Sequence, residues 1–402
     1  MSTPEATASP EPDVLRARTA VAAVFAANGV AFASFLSRAP SLRGDLELST
    51  AGLGLLLLSL SAGAVAGLPL SGPVVHRVGP ARAVFGGSLA VASGLAALAG
   101  ALVLGAVPLA AAGLVVTGLG MGVWDVAMNV EGADVERRLG RSLMPRLHAA
   151  FSLGTVAGAL LGAASAAAGA ALAIQVAAVA AAVPVVAFVA VRAFHRTERP
   201  TDRGAARGSG ASAAWRERRT VAVGLLVLAF AFTEGTANDW VAVALVDGYG
   251  TSETIGAVAF GVFVSAMTAG RLGGSRALDR FGRVVVLRAT AALALAGLLL
   301  VVSSDTTGLA LTGAALWGIG ASLGFPVGMS AASDDPARAA ARVSVVSSIG
   351  YTAFLAGPPL VGVLAERAGI LDALAVVVAA LALGLLASGA ARPLRSDPAR
   401  AS

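Results

Sequence analysis

The stretch Gly270-Arg271-Leu272-Gly273-Gly274-Ser275-Arg276-Ala277-Leu278-Asp279-Arg280-Phe281-Gly282-Arg283 joins one long apolar run to the next, and it has a counterpart earlier in the chain. That counterpart is Gly67-Leu68-Pro69-Leu70-Ser71-Gly72-Pro73-Val74-Val75-His76-Arg77-Val78-Gly79. At one ungapped offset of 203 residues, Gly67 falls on Gly270, Arg77 on Arg280 and Gly79 on Gly282. Outward from this pair, apolar runs of roughly 18 residues or more recur along the chain, each long enough to cross a hydrocarbon core of about 30 Å. Composition agrees: 57% of the 402 residues are hydrophobic and 13% charged. Soluble domains carry about 45–50% and about 25%. An ordinary soluble enzyme and a disordered chain are both excluded. The protein is a polytopic membrane protein built from a parallel repeat.

A window of roughly 19 residues places helices at about 15–37, 50–73, 82–104, 107–132, 147–169, 171–194, 219–246, 254–276, 284–303, 308–331, 343–365 and 370–390. The least marked division is between the fifth and sixth, where Gly162 to Ala173 offers only small residues. Every basic residue is arginine. The loops holding Arg77 and Arg82, Arg137 to Arg146, Arg276 to Arg283 and Arg338 with Arg342 alternate with loops that keep only Arg38, Arg43 and Arg367. The positive-inside rule makes the arginine-rich side cytoplasmic. Both termini then lie inside, which requires an even number of spans. The net charge of +6 therefore reflects topology, not nucleic-acid binding. Residues 1–14 and 391–402 read as cytoplasmic tails, 15–194 and 219–390 as six-helix bundles, and 195–218 as a charged flexible tether.

No cysteine occurs, and the histidines are only His76, His148 and His195. Disulfides and thiolate sites are absent, a multi-histidine metal site is not expected, and no cofactor is implied. A chain without lysine cannot hold the G-x-x-x-x-G-K-[ST] phosphate loop.

The paired loops resemble the signature of the major facilitator superfamily, G-x-x-x-D-R-x-G-R/K, between helices 2 and 3 and again between 8 and 9. The second copy, Asp279-Arg280-Phe281-Gly282-Arg283, keeps the pattern with Ser275 in the leading glycine position; the first substitutes His76 before Arg77 and Gly79. The resemblance implies an all-α membrane fold of twelve transmembrane helices in two pseudo-symmetric six-helix bundles, and gating roles for both loops. Further stretches are similar to a bacterial subgroup of inner-membrane permeases that includes YbjJ and MosC. They are Ser37-Arg38-Ala39-Pro40, Trp124-Asp125 to Asn129, His148 to Gly154, Glu234-Gly235 to Trp240 and Gly357-Pro358-Pro359.

In that fold the first, fourth, seventh and tenth helices line a central cavity. Ionisable groups inside a membrane are costly and by default functional or paired. The first helix carries Asn28, the fourth Asp125 and Asn129, the seventh Glu234 and Asn238, and the tenth only Trp317 and Phe325. The i,i+4 spacing puts each polar pair on one helical face. Two readings are open for Glu234 and for Asp125: a carboxylate that exchanges a proton, or a tie between helices. The three asparagines suit hydroxyl-rich solutes or interhelical hydrogen bonds. Trp317 is placed in the cavity and Trp240 in the interfacial belt. His148 is a packing residue or a proton relay, and Gly154-x-x-x-Gly158-x-x-x-Gly162 is a close-packing stripe. No arginine falls in the middle of a cavity helix, which ranks neutral polyhydroxylated or amino-sugar-like solutes first, organic cations second and multivalent anions last.

The sequence thus reads as a monomeric, proton-coupled secondary transporter in the bacterial inner membrane, not an enzyme. Its partners are a small solute, protons and the lipid bilayer. Efflux of organic cations or drugs, and solute sensing without transport, are the alternatives. By the repeat, Asp279 is expected to latch against the start of the fifth helix near Arg146 to His148, and His76 to make a weaker contact near Arg342.

Overall fold

The computed structural model describes residues 12–139, 143–194, 211–335 and 338–393. Twelve long helices account for nearly all of them, with no strand among the described residues. In chain order these are α1 (Pro12–Leu36), α2 (Thr50–Val78), α3 (Pro80–Leu104), α4 (Val107–Leu139), α5 (Met144–Ala167) and α6 (Leu172–Val191). The second set is α7 (Arg218–Val243, prolonged by a π-turn over Ala244–Gly248), α8 (253–281), α9 (283–303), α10 (Thr307–Ala332), α11 (Ala339–Ala368) and α12 (Ile370–Ala391). A short helix, Ala39–Asp45, follows α1.

Helix starts follow from capping chemistry. Ser49, Ser252 and Thr306 each accept a hydrogen bond from the backbone N–H three residues on, satisfying one of the donors a helix start leaves orphaned. The fifth and sixth helices part at residues 168–171, where Gly169 takes φ 66°. α2 and α4 run past their expected ends to Val78 and Leu139. The apolar window undercounts them because their last turns are charged and project beyond the membrane.

Gly79 and Gly282 turn the chain in the same way. Gly79 has φ 83° and ψ 160°, and Gly282 has φ 75° and ψ 161°. A side chain is strained there, so both repeats require glycine. At the second site the non-helical Gly282 separates α8 from α9 as Gly79 separates α2 from α3. The repeat extends to packing. A Cβ on Gly67 would meet Leu119, and one on Gly270 would meet Ser322; both members of the contact are displaced by the same 203 residues. Thus α2 crosses α4 as α8 crosses α10.

Within the first bundle α1 packs on α5 and α6, and α4 on α2 and α3; in the second, α7 packs on α11 and α12. The bundles meet along α2 against α11 and α5 against α8. The glycine stripe of α5 lies against α1: a Cβ on Gly154 would stand 2.1 Å from the Ala26 carbonyl oxygen, and one on Gly158 2.8 Å from that of Val30.

Candidate functional site

The polar residues of the membrane-spanning helices fall into two groups. In the first bundle, α4 presents Asp125 and, one turn on, Asn129. The Asn129 amide donates to the Asp125 backbone carbonyl at 2.8 Å and, more loosely, to its carboxylate at 3.4 Å. Asp125 is exposed yet surrounded by protein, as befits a group on an inner wall. His148 on α5 and Tyr351 on α11 lie within electrostatic reach of it. Tyr351 belongs to the opposite bundle, so this group spans the gap between them. His148 shares its Nδ1 with the Met144 carbonyl at 3.0 Å and tilts against Phe25, 5.4 Å away. Asn28 is buried on α1, its amide 4.0 Å from the Met128 sulfur.

In the second bundle, Glu234 sits midway along α7. Arg271 reaches it from α8, one guanidinium nitrogen standing 2.9 and 3.0 Å from its two carboxylate oxygens. The Arg271 Nε–H donates to the Ser322 carbonyl on α10 at 3.3 Å, so one side chain ties three helices. Glu234 is therefore not a lone carboxylate. Arg271 lies outside the four cavity helices, on the neighbouring α8. Its position inside an apolar run, five residues before the first loop arginine, Arg276, is the sequence signal for it. Asn238 is buried one turn beyond Glu234.

The tryptophans differ from expectation. Trp317 is fully buried, with Phe263 packed edge-on at 6.0 Å, so it offers no ring face to a cavity. Trp240, expected in the interfacial belt, is likewise fully buried, as is Trp124. In a chain this rich in alanine and glycine, large rings fill the gaps between closely approaching helices.

The two ends of the molecule contrast. At the arginine-rich end, His76, Arg77, Asp279, Arg280 and Gly282 are exposed. Among the described residues no hydrogen bond or ion pair joins Asp279 to the start of α5 or His76 to the start of α11, so the expected latch is not engaged in this conformation. Arg283 instead pairs with Asp334 at 2.7 Å within the second bundle, and Arg219 takes the other oxygen of Asp334, also at 2.7 Å. Arg342 belongs to Glu217, which also accepts from Thr220 and Arg338. These bonds, Arg342 foremost, lower the Glu217 carboxyl to about 2.

At the arginine-poor end the bundles are clasped together. Arg38, with a side chain only 6% exposed, donates to the Ala170 carbonyl at 2.7 Å, to Ser41 at 3.1 Å and to Glu253 of the second bundle at 2.9 Å. Ser41 also donates to Glu253. Arg43 grips Asp247 with two nitrogens. Glu366 accepts from the Ser49 hydroxyl at 3.0 Å and from the Ala51 N–H at 3.1 Å. Close to the clasp, partial burial and the Glu253 carboxylate push the Asp45 carboxyl up, with Arg38 pulling the other way. The described ion pairs between bundles are both here. The bundles are clasped at the arginine-poor end, and among the described residues no ion pair or hydrogen bond joins them at the signature-loop end. Among the described residues no group of three histidine, aspartate or glutamate side chains is placed to hold a metal ion.

Twelve apolar helices in two like bundles, clasped at one end, define a polytopic membrane protein of six-plus-six architecture. The Major Facilitator Superfamily model matches residues 19–358, and the chain belongs to that superfamily. It is 31% identical over 351 residues to the uncharacterized transporter y4wD of Sinorhizobium fredii, covering 87% of this chain and 91% of that one. It is 27% identical to membrane protein MosC of Rhizobium meliloti over 365 residues, 90% and 86% of the two chains. Among solved structures, the nucleoside transporter NupG superposes with a TM-score of 0.74 at 15% identity, over 94% of this chain and 98% of that one.

Proposed function

We propose that this member of the superfamily is a secondary active transporter that moves a small solute by alternating access, coupled to protons, in the bacterial inner membrane. The observation that carries the reading is the contrast between the ends: every described ion pair between the bundles lies at the arginine-poor end, while none of the described residues of the signature loops pairs with the other bundle. One end shut and the other released is what alternating access requires of a single conformation. The arginine bias puts the released end and both termini in the cytoplasm, so this conformation faces inward. The six-plus-six division falls in the 195–218 tether, of which residues 195–210 lie outside the described residues. The working unit is one chain.

The solute class that fits best is neutral and polyhydroxylated or amino-sugar-like. Asn28, Asn129 and Asn238 offer both donors and acceptors, and Arg271, which reaches the middle of α7, is already engaged by Glu234. Organic-cation efflux is the second reading, favoured by the exposed Asp125 with Tyr351 and Phe354 opposite. A sensor without transport is the third. A thermal-shift screen across sugars, polyols, amino sugars and cationic drugs ranks the first two. Uptake into proteoliposomes separates both from the third.

Coupling is assigned to Glu234 or Asp125. Glu234→Gln is expected to abolish uphill uptake driven by a pH gradient while sparing solute exchange, since exchange need not cycle a proton. If both single amide variants and their double variant drive uphill uptake like the wild type, the assignment is wrong. In the outward-facing state, Asp279 is expected to rest on the first turn of α5, where unpaired N–H groups favour a carboxylate. Asp279→Asn then raises the inward-open population in spin-label distance measurements, and His76→Ala changes it little; equal shifts would overturn this unequal gate.

A further inference from the structure

A groove of about 750 Å³ opens between α1 and α6 at the arginine-rich end, away from the polar groups that face between the bundles. Its walls are apolar: Ala20 and Ala23 of α1 face Val185, Val189 and Ala190 of α6. Small residues on both helices leave the space open, while Val185 and Val189 are 61% and 63% exposed along its lip. Its mouth is cationic. Arg16 and Arg18, in the first two turns of α1, both line it. Arg16 makes only a loose 3.4 Å contact with Asp13, both side chains being 75% exposed. Arg18 has no hydrogen-bond or ion-pair partner among the described residues.

Both the depth and the polarity of this groove identify an occupant. Ala23 lies five residues beyond Arg18, about 7–8 Å further along a helix of 1.5 Å rise per residue. Val185 lies five residues before Ala190, likewise about 7–8 Å. The cavity therefore runs from the level of the arginines, at the membrane surface, down the apolar flank of the protein. Something with an anionic head and an apolar tail satisfies both parts. Soluble anions leave the walls bare, and a zwitterionic lipid brings a cation to the same mouth as its phosphate.

We infer that the α1–α6 groove is a binding site for an anionic phospholipid, whose phosphate is held by Arg16 and Arg18 and whose acyl chain lies between α1 and α6. Arginines near a membrane surface each contribute roughly fivefold to anionic-lipid binding. With Arg16 partly engaged by Asp13, the preference for phosphatidylglycerol over phosphatidylcholine comes to roughly five- to thirtyfold.

The test uses the full chain in mixed micelles, with native mass spectrometry counting retained phosphatidylglycerol or phosphatidylcholine and thermal unfolding measured in parallel. The wild type is expected to retain one phosphatidylglycerol selectively and to unfold at higher temperature with it. The double variant Arg16→Gln/Arg18→Gln is expected to lose the selectivity. Ala23→Leu, which fills the groove with both charges intact, is expected to lose the bound lipid as well. Arg77→Gln/Arg82→Gln, which removes two cations elsewhere on the same end, is expected to keep it. Equal retention of the two lipids, retained selectivity in the first double variant or in Ala23→Leu, or an equal loss in the Arg77/Arg82 control would overturn the proposal. So would inorganic phosphate reproducing the whole thermal shift, because the acyl chain would then contribute nothing.

Discussion

Removing Arg38 is the most direct way to weigh the closed end. Arg38→Ala deletes three hydrogen bonds, to the Ala170 carbonyl, Ser41 and Glu253. It also takes from Glu253 the cation that shields it from Asp45, the neighbour with which it interacts unfavourably. Truncating one member of a fully buried pair costs about 3–5 kcal/mol. Here Glu253 is 43% exposed, so water recovers much of its loss and the full figure does not apply. What is left is a carbonyl deprived of its partner and the charged hydrogen bond itself, together about 2 kcal/mol. The part of that loss specific to the clasped state shifts the balance between closed and open outer ends. Only the Glu253 bond crosses to the other bundle, about 1 kcal/mol for a half-exposed ion pair, so at 1.4 kcal/mol per tenfold the open fraction rises by on the order of fivefold. Spin labels on the short helix and on the first turn of α8, read by pulsed dipolar spectroscopy with and without the substitution, report that fraction. A second population at longer distance is expected in Arg38→Ala. An unchanged distribution, with or without a lower unfolding temperature, would refute the reasoning, for the clasp would then hold together the bundle rather than the gate.

Three further outcomes are expected. Glu234→Gln and Arg271→Gln should each lower stability by about 2–3 kcal/mol through the charge left behind, and the double variant by less than their sum; strict additivity in chemical denaturation would mean that the pair is not coupled. Gly282→Ala should cost about 1–3 kcal/mol from its φ of 75°, while Gly44→Ala, in open space, costs nothing, as melting temperatures will show. Glu217 titrates at about 2 in the folded protein against an ordinary carboxylate value near 4.3, so its contribution is full above that range and disappears as pH falls toward 2. The stability gap between wild type and Glu217→Gln should therefore close between about pH 4.5 and 2, and a gap that widens on acidification would contradict the sign.

The repeat and the helices were legible in the sequence because both rest on short-range physics. Apolar length marks a span, and a left-handed backbone marks Gly79 and Gly282. The contacts between spans were not. Arg271 sits in the sequence beside the loop arginines, and only the crossing of α8 over α7 turns it toward Glu234. The Ser37-Arg38-Ala39-Pro40 stretch stood out as a motif, but nothing local announces that Arg38 reaches across to Glu253. Trp317 failed for a related reason: depth in the membrane says how far a residue is from water, not which neighbour its ring will meet.

The clasp at the arginine-poor end has a direction. Every donor that crosses it, Arg38, Ser41, Arg43, Ser49 and the Ala51 amide, belongs to the first bundle, and every acceptor it reaches there, Glu253, Asp247 and Glu366, to the second. Two bundles descended from one pattern carry a hazard during synthesis, since the first to emerge could pair with the same bundle of another molecule. By the 203-residue offset, a second copy of the first bundle in that place would set Thr50 and Gly44 where Glu253 and Asp247 stand, so neither Arg38 nor Arg43 would meet its carboxylate. A pairing that leaves charges without partners is disfavoured as the right one is favoured. The rim that shuts one side of the molecule thereby also favours the joining of unlike halves over like ones.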